Sequence, residues 1–574
     1  MPIRSRSVPC RPIAWHRIVA LCAVAALCAP RSLAQDPAER TAHAAAATLP
    51  ADRTNGAQAV TVAMCKQWLG TLASPAFEGR GTGQPGYQKA ADFVAAHFRS
   101  LGLVARDDQG SYFQPVAWNR TTVGDASIRF AQDGKEVLVV PAERLAGSVS
   151  AATDAEGPVL LLNVTVQVDT GNRGVVPQIP GLADVDADGK IVVVAVRGDG
   201  RAQAMARFAV MQGLQGKNAA AVVFLVADAV RGGLTGREGM ARNRNPAAAA
   251  AANRPLDVSF GGDDGTALLA TADQTFVSLA KAPLAIPLPL TGHVKITVED
   301  GDAPAMNVFA VLPGSDPKLR DEYVVIGSHL DHLGIRRGEL HPGADDDGSG
   351  TTGVMAVAQM FAKNPTKPRR SVLFVCFSGE ESGLVGSRVF VENCPIPLAA
   401  IAAELQMDMI GRDEEEGMDG PRLVNQGERA EDNRNSLHLV GTEKLAPALH
   451  QLCLLQNERA GFDLEYDQEG LFSRSDHANF ARQGVPIAFF FTGLHRDYHQ
   501  PSDTPDKIHY EKLLRVATYV YDIAFELASQ DARPEVDPEL WATFRTSSGN
   551  RRSPPPEQPS APVKKSPPGD GNGK

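Results

Sequence analysis

Five short stretches concentrate residues that hold cations or move protons. Ser328-His329-Leu330-Asp331 pairs an imidazole with a carboxylate that could hold its second ring nitrogen and raise its basicity. Gly343-Ala344-Asp345-Asp346-Asp347-Gly348-Ser349-Gly350 sets three acids in a row. These repel one another unless they are solvated, cap a helix through Asp347 or Ser349, or hold a cation. Ser378-Gly379-Glu380-Glu381-Ser382-Gly383 offers two adjacent acids, so one can face a metal and its neighbour a water. Gln406-Met407-Asp408-Met409 flanks a carboxylate with methionines, which is costly unless the acid is paired or metal-bound. Tyr498-His499-Gln500-Pro501-Ser502-Asp503-Thr504 brings a second imidazole. Each stretch alone also reads as a solvated turn or an acidic helix start.

Taken together, His329, Asp346, Glu381, Asp408 and His499 make two imidazoles and three carboxylates with no thiolate. That set suits two zinc-like ions bridged by one carboxylate. Two such ions ~3.5–4 Å apart share a water, lower its pKa and polarise a carbonyl. A further carboxylate must take the proton of that water and pass it to the leaving group, and Glu380 is placed for it.

The elements that must position these residues are legible around them. Tyr323–Gly327, Ser371–Phe377 and Val485–Phe491 read as buried strands, and Gly350–Ala362 and Gly383–Glu392 as helices. All five stretches fall at or shortly after β-type runs. Alternating strands and helices predict an α/β fold with a mainly parallel sheet covered on both faces, and ligands beyond the carboxyl ends of its strands. Val60–Leu103 has helical spacing around a Gly-rich turn, Phe77-Glu78-Gly79-Arg80-Gly81-Thr82-Gly83, which reads as a plain loop. Residues 140–290 carry the β-type runs Val159–Leu162, Ile191–Val196 and Ala221–Val226, without an acid–His cluster, and read as a separate β-rich module. Six consecutive alanines between Pro246 and Asn253 read as a surface insertion.

With these motifs in order, the chain resembles the M28 family of co-catalytic zinc peptidases, in particular secreted bacterial aminopeptidases with an inserted protease-associated (PA) domain. The resemblance is strong over about 299–529 and extends through Leu72-Ala-Ser-Pro-Ala-Phe-Glu-Gly-Arg80. It implies a three-layer α/β/α peptidase domain with a mainly parallel mixed sheet, plus a non-catalytic β-rich PA-like insert. It also implies two Zn2+ ions. Asp346 resembles the bridging ligand, and His329, Glu381, Asp408 and His499 the terminal ligands. Glu380 resembles the general base and Asp331 the partner behind His329. Tyr498 resembles a carbonyl polariser and Arg474 a substrate-recognition residue, a surface ion pair being the alternative for Arg474. The implied activity is removal of N-terminal residues from peptides. Carboxypeptidase or dipeptidase action by the same metal pair is the alternative, and a receptor-like protein on a peptidase fold would be expected to have lost ligands that this chain keeps.

The implied organisation is a signal peptide over 1–34, a flexible leader over 35–58, peptidase segments over 59–139 and 291–535 around the insert at 140–290, and a disordered Pro-rich tail over 546–574. The signal rests on Arg4, Arg6, Arg11 and Arg17, the apolar run Ile18–Ala29, and Ser32-Leu33-Ala34. That run is shorter than the ~20 residues of a membrane span, so no stable anchor is expected. The net charge is −10 with no basic stripe, which argues against a nucleic-acid partner. Cleavage at Ala34 leaves Cys65, Cys376, Cys394 and Cys453, too few for a disulfide scaffold, with any pairing unreadable.

Overall fold

The computed structural model describes residues 49–547, apart from 106–109, 150, 165–166, 170–175, 198–199, 231–232, 237, 241–256, 337, 416–431 and 467–469. The expected signal peptide, the six-alanine insertion and the tail from 548 onward lie outside the described residues.

A central sheet is built from β1 (Phe113–Pro115), β2 (Met306–Leu312), β3 (Tyr323–His329), β4 (Ser371–Phe377), β5 (Ile401–Met407), β6 (Ser436–Val440), β7 (Asp463–Glu465) and β8 (Ile487–Phe491). Its spatial order is β1-β2-β4-β3-β5-β8-β6-β7. The four middle strands run parallel. On one side β1 and β2 add antiparallel, and on the other β6 adds antiparallel to β8 with β7 parallel to β6. Every residue of β4, β5 and β8 is buried. Helices cover both faces, which is why β4 and β8 read as largely apolar runs, while β5 buries Glu404 and Gln406 among its apolar residues.

One face packs against α1 (Val62–Leu72), α2 (Pro85–Ser100), α3 (Gly348–Lys363) and α6 (Tyr510–Ser529). Phe361 sits at the centre of this layer, against Phe374, Tyr521 and Phe525. The other face packs against α4 (Val385–Glu392) and α5 (His477–Arg482), with Phe309, Phe377, Phe390 and Phe480 in contact. The expected three-layer α/β/α arrangement is therefore present. In α2 the residues Ala90, Ala91, Val94, Ala95 and Phe98 form the buried stripe, and Pro85 opens the first turn, where a missing N–H costs nothing.

A second, ten-stranded sheet lies in sequence between β1 and β2. Its middle strands, Thr153–Asn163, Ile191–Ala195, Ala221–Val226 and Asp257–Gly261, are parallel. It is wider than the 140–290 read from the sequence, beginning with Trp118–Gln132 and closing with Ala285–Asp302. Those two strands pair with each other along most of their length, a long-range contact that neither stretch announces. Trp118 also reaches the central unit: a Cβ on Gly379 would come within 2.8 Å of its ring, and Gly379 has φ +68°. Only glycine allows that approach just before Glu380.

Another correction falls at the N-terminal side. Ala51–Ala57, within the stretch expected to be flexible, is a helix. Arg53 in it is buried and ion-paired with Asp522 and Glu526 of α6 at 2.9 Å each. Those partners are distant in sequence, so local composition conceals the anchor. Cys65, Cys376, Cys394 and Cys453 are all free thiols. Among the described residues no helix is long and apolar enough to cross a membrane.

Candidate metal centre

The carboxyl ends of the parallel strands bring all five expected ligands together. His329 ends β3, Glu381 follows β4, Asp408 follows β5, His499 lies in the loop after β8, and Asp346 precedes α3. His329 Nε2 is 3.2 Å from Asp346 Oδ1 and 3.5 Å from Asp408 Oδ1. His499 Nε2 is 3.1 Å from both Asp346 Oδ2 and Glu381 Oε2. Asp346 thus turns one oxygen to each of two acid–imidazole groups.

The three consecutive acids are buried and divide their work. Asp347 caps α3: its Oδ1 accepts from the Gly350 amide at 2.8 Å and the Met409 amide at 3.2 Å. Its Oδ2 accepts from the His329 amide at 3.0 Å. One carboxylate therefore ties three ligand-bearing segments. Asp345 accepts from the Gly411 amide at 2.7 Å and faces His495 Nε2 at 3.2 Å. Asp346 alone is left for the site. The peptide joining it to Asp347 is cis.

Asp331 differs from the expectation. His329 Nδ1 is held by the main-chain carbonyl of Asp331 at 2.9 Å, while the carboxylate stands 4.0 Å away. The turn after β3 sends that carboxylate to the Glu380 amide instead, at 3.1 Å. Asp331 thus places Glu380 as well as His329.

Glu380 and Glu381, though adjacent, sit in opposed environments. Burial pushes the Glu380 carboxyl well above its usual range; His329 opposes this, and Glu381 and Asp408 add to it. Burial and Asp346 also push Glu381 upward, but His332 and His499 outweigh them and hold it low. A divergent pair of this kind separates a proton carrier from a permanent anion. Tyr498 stacks on the His499 ring at 3.9 Å between centroids, and its hydroxyl accepts from Arg474 Nη2 at 3.1 Å. Beside it lies an apolar cluster of Met409, Phe489 and Phe491 with Leu471 and Leu494 packed against them.

Three residues with clear parts here were not singled out from the sequence. His332 Nδ1 lies 2.9 Å from Glu381 Oε1. Its signal was the second histidine in Ser-His-Leu-Asp-His, and its approach needs Gly343, where a Cβ would strike the His332 ring. Asp503 accepts from the amides of Asp345 and Asp346 at 3.0–3.2 Å. Arg80, in the turn read as a plain loop, is fully buried. It donates to the carbonyls of Leu330 (2.9 Å), Leu72 (3.0 Å), Pro342 (2.8 Å) and Gly343 (2.7 Å). It therefore joins the His329 loop to the Asp346 loop. Arg80→Met leaves these carbonyls without donors and is expected to cost about 3–5 kcal/mol. Urea unfolding with zinc stoichiometry checks this; an unchanged midpoint and metal content would remove Arg80 from the architecture.

Residues 307–524 match the profile of peptidase family M28. That match covers less than half of the chain. A probable leucine aminopeptidase of Arthroderma otae is 27% identical over 231 residues, 39% of this chain and 57% of that protein. Leupeptin-inactivating enzyme 1 of Streptomyces exfoliatus is 29% identical over 198 residues, 34% of this chain and 38% of its own length. The chain thus spans about half the length, or less, of these curated relatives. A zinc aminopeptidase from Bacillus subtilis shares the fold, with a TM-score of 0.50 at 17% identity over 84% of this chain and 98% of that one.

The residues gathered here fit zinc. Asp346 Oδ2, Glu381 Oε1 and both ring nitrogens of His332 are buried without a hydrogen-bond partner, although they crowd together. Separations of 3.1–3.5 Å between potential ligands match one ion with bonds of ~2.1 Å, whose tetrahedral ligands stand ~3.4 Å apart. His329, Asp346 and Asp408 form one convergent group, and His332, Asp346 and Glu381 another.

Proposed function

We propose that this protein is an exported zinc aminopeptidase with two ions, one held by His329, Asp346 and Asp408 and the other by Asp346, Glu381 and His499. His332 stands against the second group. The observation that carries the reading is the sharing of Asp346 between two acid–imidazole groups with Glu380 beside them. Zinc there would supply a Lewis acid for the scissile carbonyl and an acidified water.

The protein's own groups supply the rest. Glu380, with its raised affinity for protons, takes one from the attacking water and delivers it to the departing amine. The Tyr498 hydroxyl, anchored by Arg474, donates to the carbonyl oxygen as negative charge develops there. Met409 and Phe491, flanked by Leu494, offer an apolar wall for the first side chain. The names of the leucine aminopeptidase relatives support action at the amino end. The ten-stranded unit is read as a PA-like insert that shapes access. Export is supported by the Arg-rich and apolar N-terminal stretch.

A panel of amino-acid p-nitroanilides tests this directly. Leucine p-nitroanilide is expected to be cleaved at least ~10-fold faster than the glutamate or lysine compound, since burying an apolar side chain contributes ~1.5–3 kcal/mol. Its N-acetylated form should resist. 1,10-Phenanthroline should abolish turnover and Zn2+ restore it. Cleavage of the blocked substrate, or release of C-terminal residues from peptides, would overturn the assignment.

A further inference from the structure

We propose that His332 Nδ1 is a further protein ligand of the ion held by Asp346, Glu381 and His499, which makes the two metal positions unequal. The inference rests on the zinc reading above and adds to it a residue that the family resemblance does not assign. His332 Nδ1 lies 2.9 Å from Glu381 Oε1 and 3.6 Å from Asp346 Oδ2. Those two oxygens are buried without a hydrogen-bond partner, and so are both nitrogens of the His332 ring. At 2.9 Å the Nδ1–Oε1 pair is close enough to hydrogen-bond, so what it lacks is alignment. Close atoms aimed past each other are how ligands face a shared ion. With bonds of ~2.1 Å, the ligands of one zinc stand ~3.0–3.6 Å apart in four- or five-coordinate arrangements. The separations of 2.9–3.6 Å among His332, Asp346, Glu381 and His499 match that spacing.

The fold holds the imidazole in this place. Its main-chain N–H donates to the Arg80 carbonyl at 3.3 Å. Gly343 packs so tightly on the ring that a Cβ there would strike it. The His332 side chain is fully buried, whereas that of His499 is 33% exposed, in the loop after β8. The ion would thus rest on a buried imidazole fixed from the Arg80 turn and be closed from the solvent side by His499. Three protein residues leave a zinc position open, and four close it. His329, Asp346 and Asp408 therefore form the open position, and the His332 group forms the closed one. Glu380 stands beside the open position, with Oε2 4.0 Å from His329 Nε2. The closed position, with one ligand more, is the tighter and fills first.

The test uses the full-length protein, stripped with chelator and titrated with ZnCl2 against a chromophoric chelator. Wild type is expected to show one tight and one weaker zinc. His332→Phe keeps a ring and lacks the nitrogen. It should weaken the tight zinc by at least ~100-fold, beyond the usual cost of losing a partner that only orients a ligand, and leave the weaker one unchanged. A smaller loss assigns His332 an orienting part and overturns the proposal. Should the variant fail to fold, anomalous diffraction at the zinc edge from wild-type crystals decides. A peak within bonding distance of both His332 Nδ1 and His499 Nε2 is expected. A peak bonded to Asp346, Glu381 and His499 but not to His332 refutes this ligand and spares the aminopeptidase reading. Wild-type protein that binds no zinc overturns both.

Discussion

Glu380→Gln is expected to retain the zinc content of wild type and lose ~10²–10⁴ in kcat, the usual contribution of a positioned general base. The amide has the size of the carboxyl but takes no proton at neutral pH. The anchor that places residue 380 survives, because Asp331 binds its main-chain N–H rather than its side chain. KM for leucine p-nitroanilide should change little, since Glu380 acts on the proton and not on the apolar side chain. Glu381→Gln provides the contrast. Glu381 is kept anionic by His332 and His499, so its neutralisation should lower zinc affinity first and turnover as a consequence. Zinc per chain together with kcat separates the two. Full turnover by Glu380→Gln would dismiss it as the proton carrier, and equal zinc loss in both variants would dismiss the division of labour.

Asp346→Ala is expected to abolish turnover through loss of metal. Asp346 approaches both His329 and His499, so its removal opens both groups at once. Asp408→Asn touches only the group around His329 and should spare zinc in the other. Stability should respond as well. In the absence of zinc the imidazoles of His329, His332 and His499 hold the Asp346 carboxylate, so chelator-treated Asp346→Ala should be less stable than chelator-treated wild type. Zinc at a thousandfold over its Kd adds about 4 kcal/mol to wild type, and little to the variant. Thermal unfolding with and without chelator reads both effects. A zinc-dependent rise in Tm as large in Asp346→Ala as in wild type would refute the shared-ligand role.

Much of the site was legible because its chemistry is carried by residue types at strand ends. An acid or histidine directly after an apolar β-type run can be placed without coordinates, since parallel strands end on one side of their sheet. His329, Glu381 and Asp408 follow this rule closely. The supporting residues do not. Arg80 acts through four carbonyls, and nothing in a Gly-rich turn shows which carbonyls will surround it. Asp503 works on main-chain amides well over a hundred residues away. Asp331 reverses its expected part because the turn after β3, and not its spacing from His329, decides where its carboxylate points.

The sequence by itself determined the α/β class, the donor set of imidazoles and carboxylates, the separate roles open to Glu380 and Glu381, and the β-rich unit inserted in the chain. These follow from side-chain chemistry and from hydrophobic periodicity, both local properties. Family resemblance had already singled out Asp346, but only the tertiary structure showed why it, rather than Asp345 or Asp347, faces the site, that His332 joins Glu381, and that the second sheet runs from Trp118 to Asp302. The reason is that three neighbouring carboxylates are chemically equal until distant amides claim two of them. Gly350, Met409 and His329 engage Asp347, and Gly411 engages Asp345, which leaves Asp346 with both oxygens available.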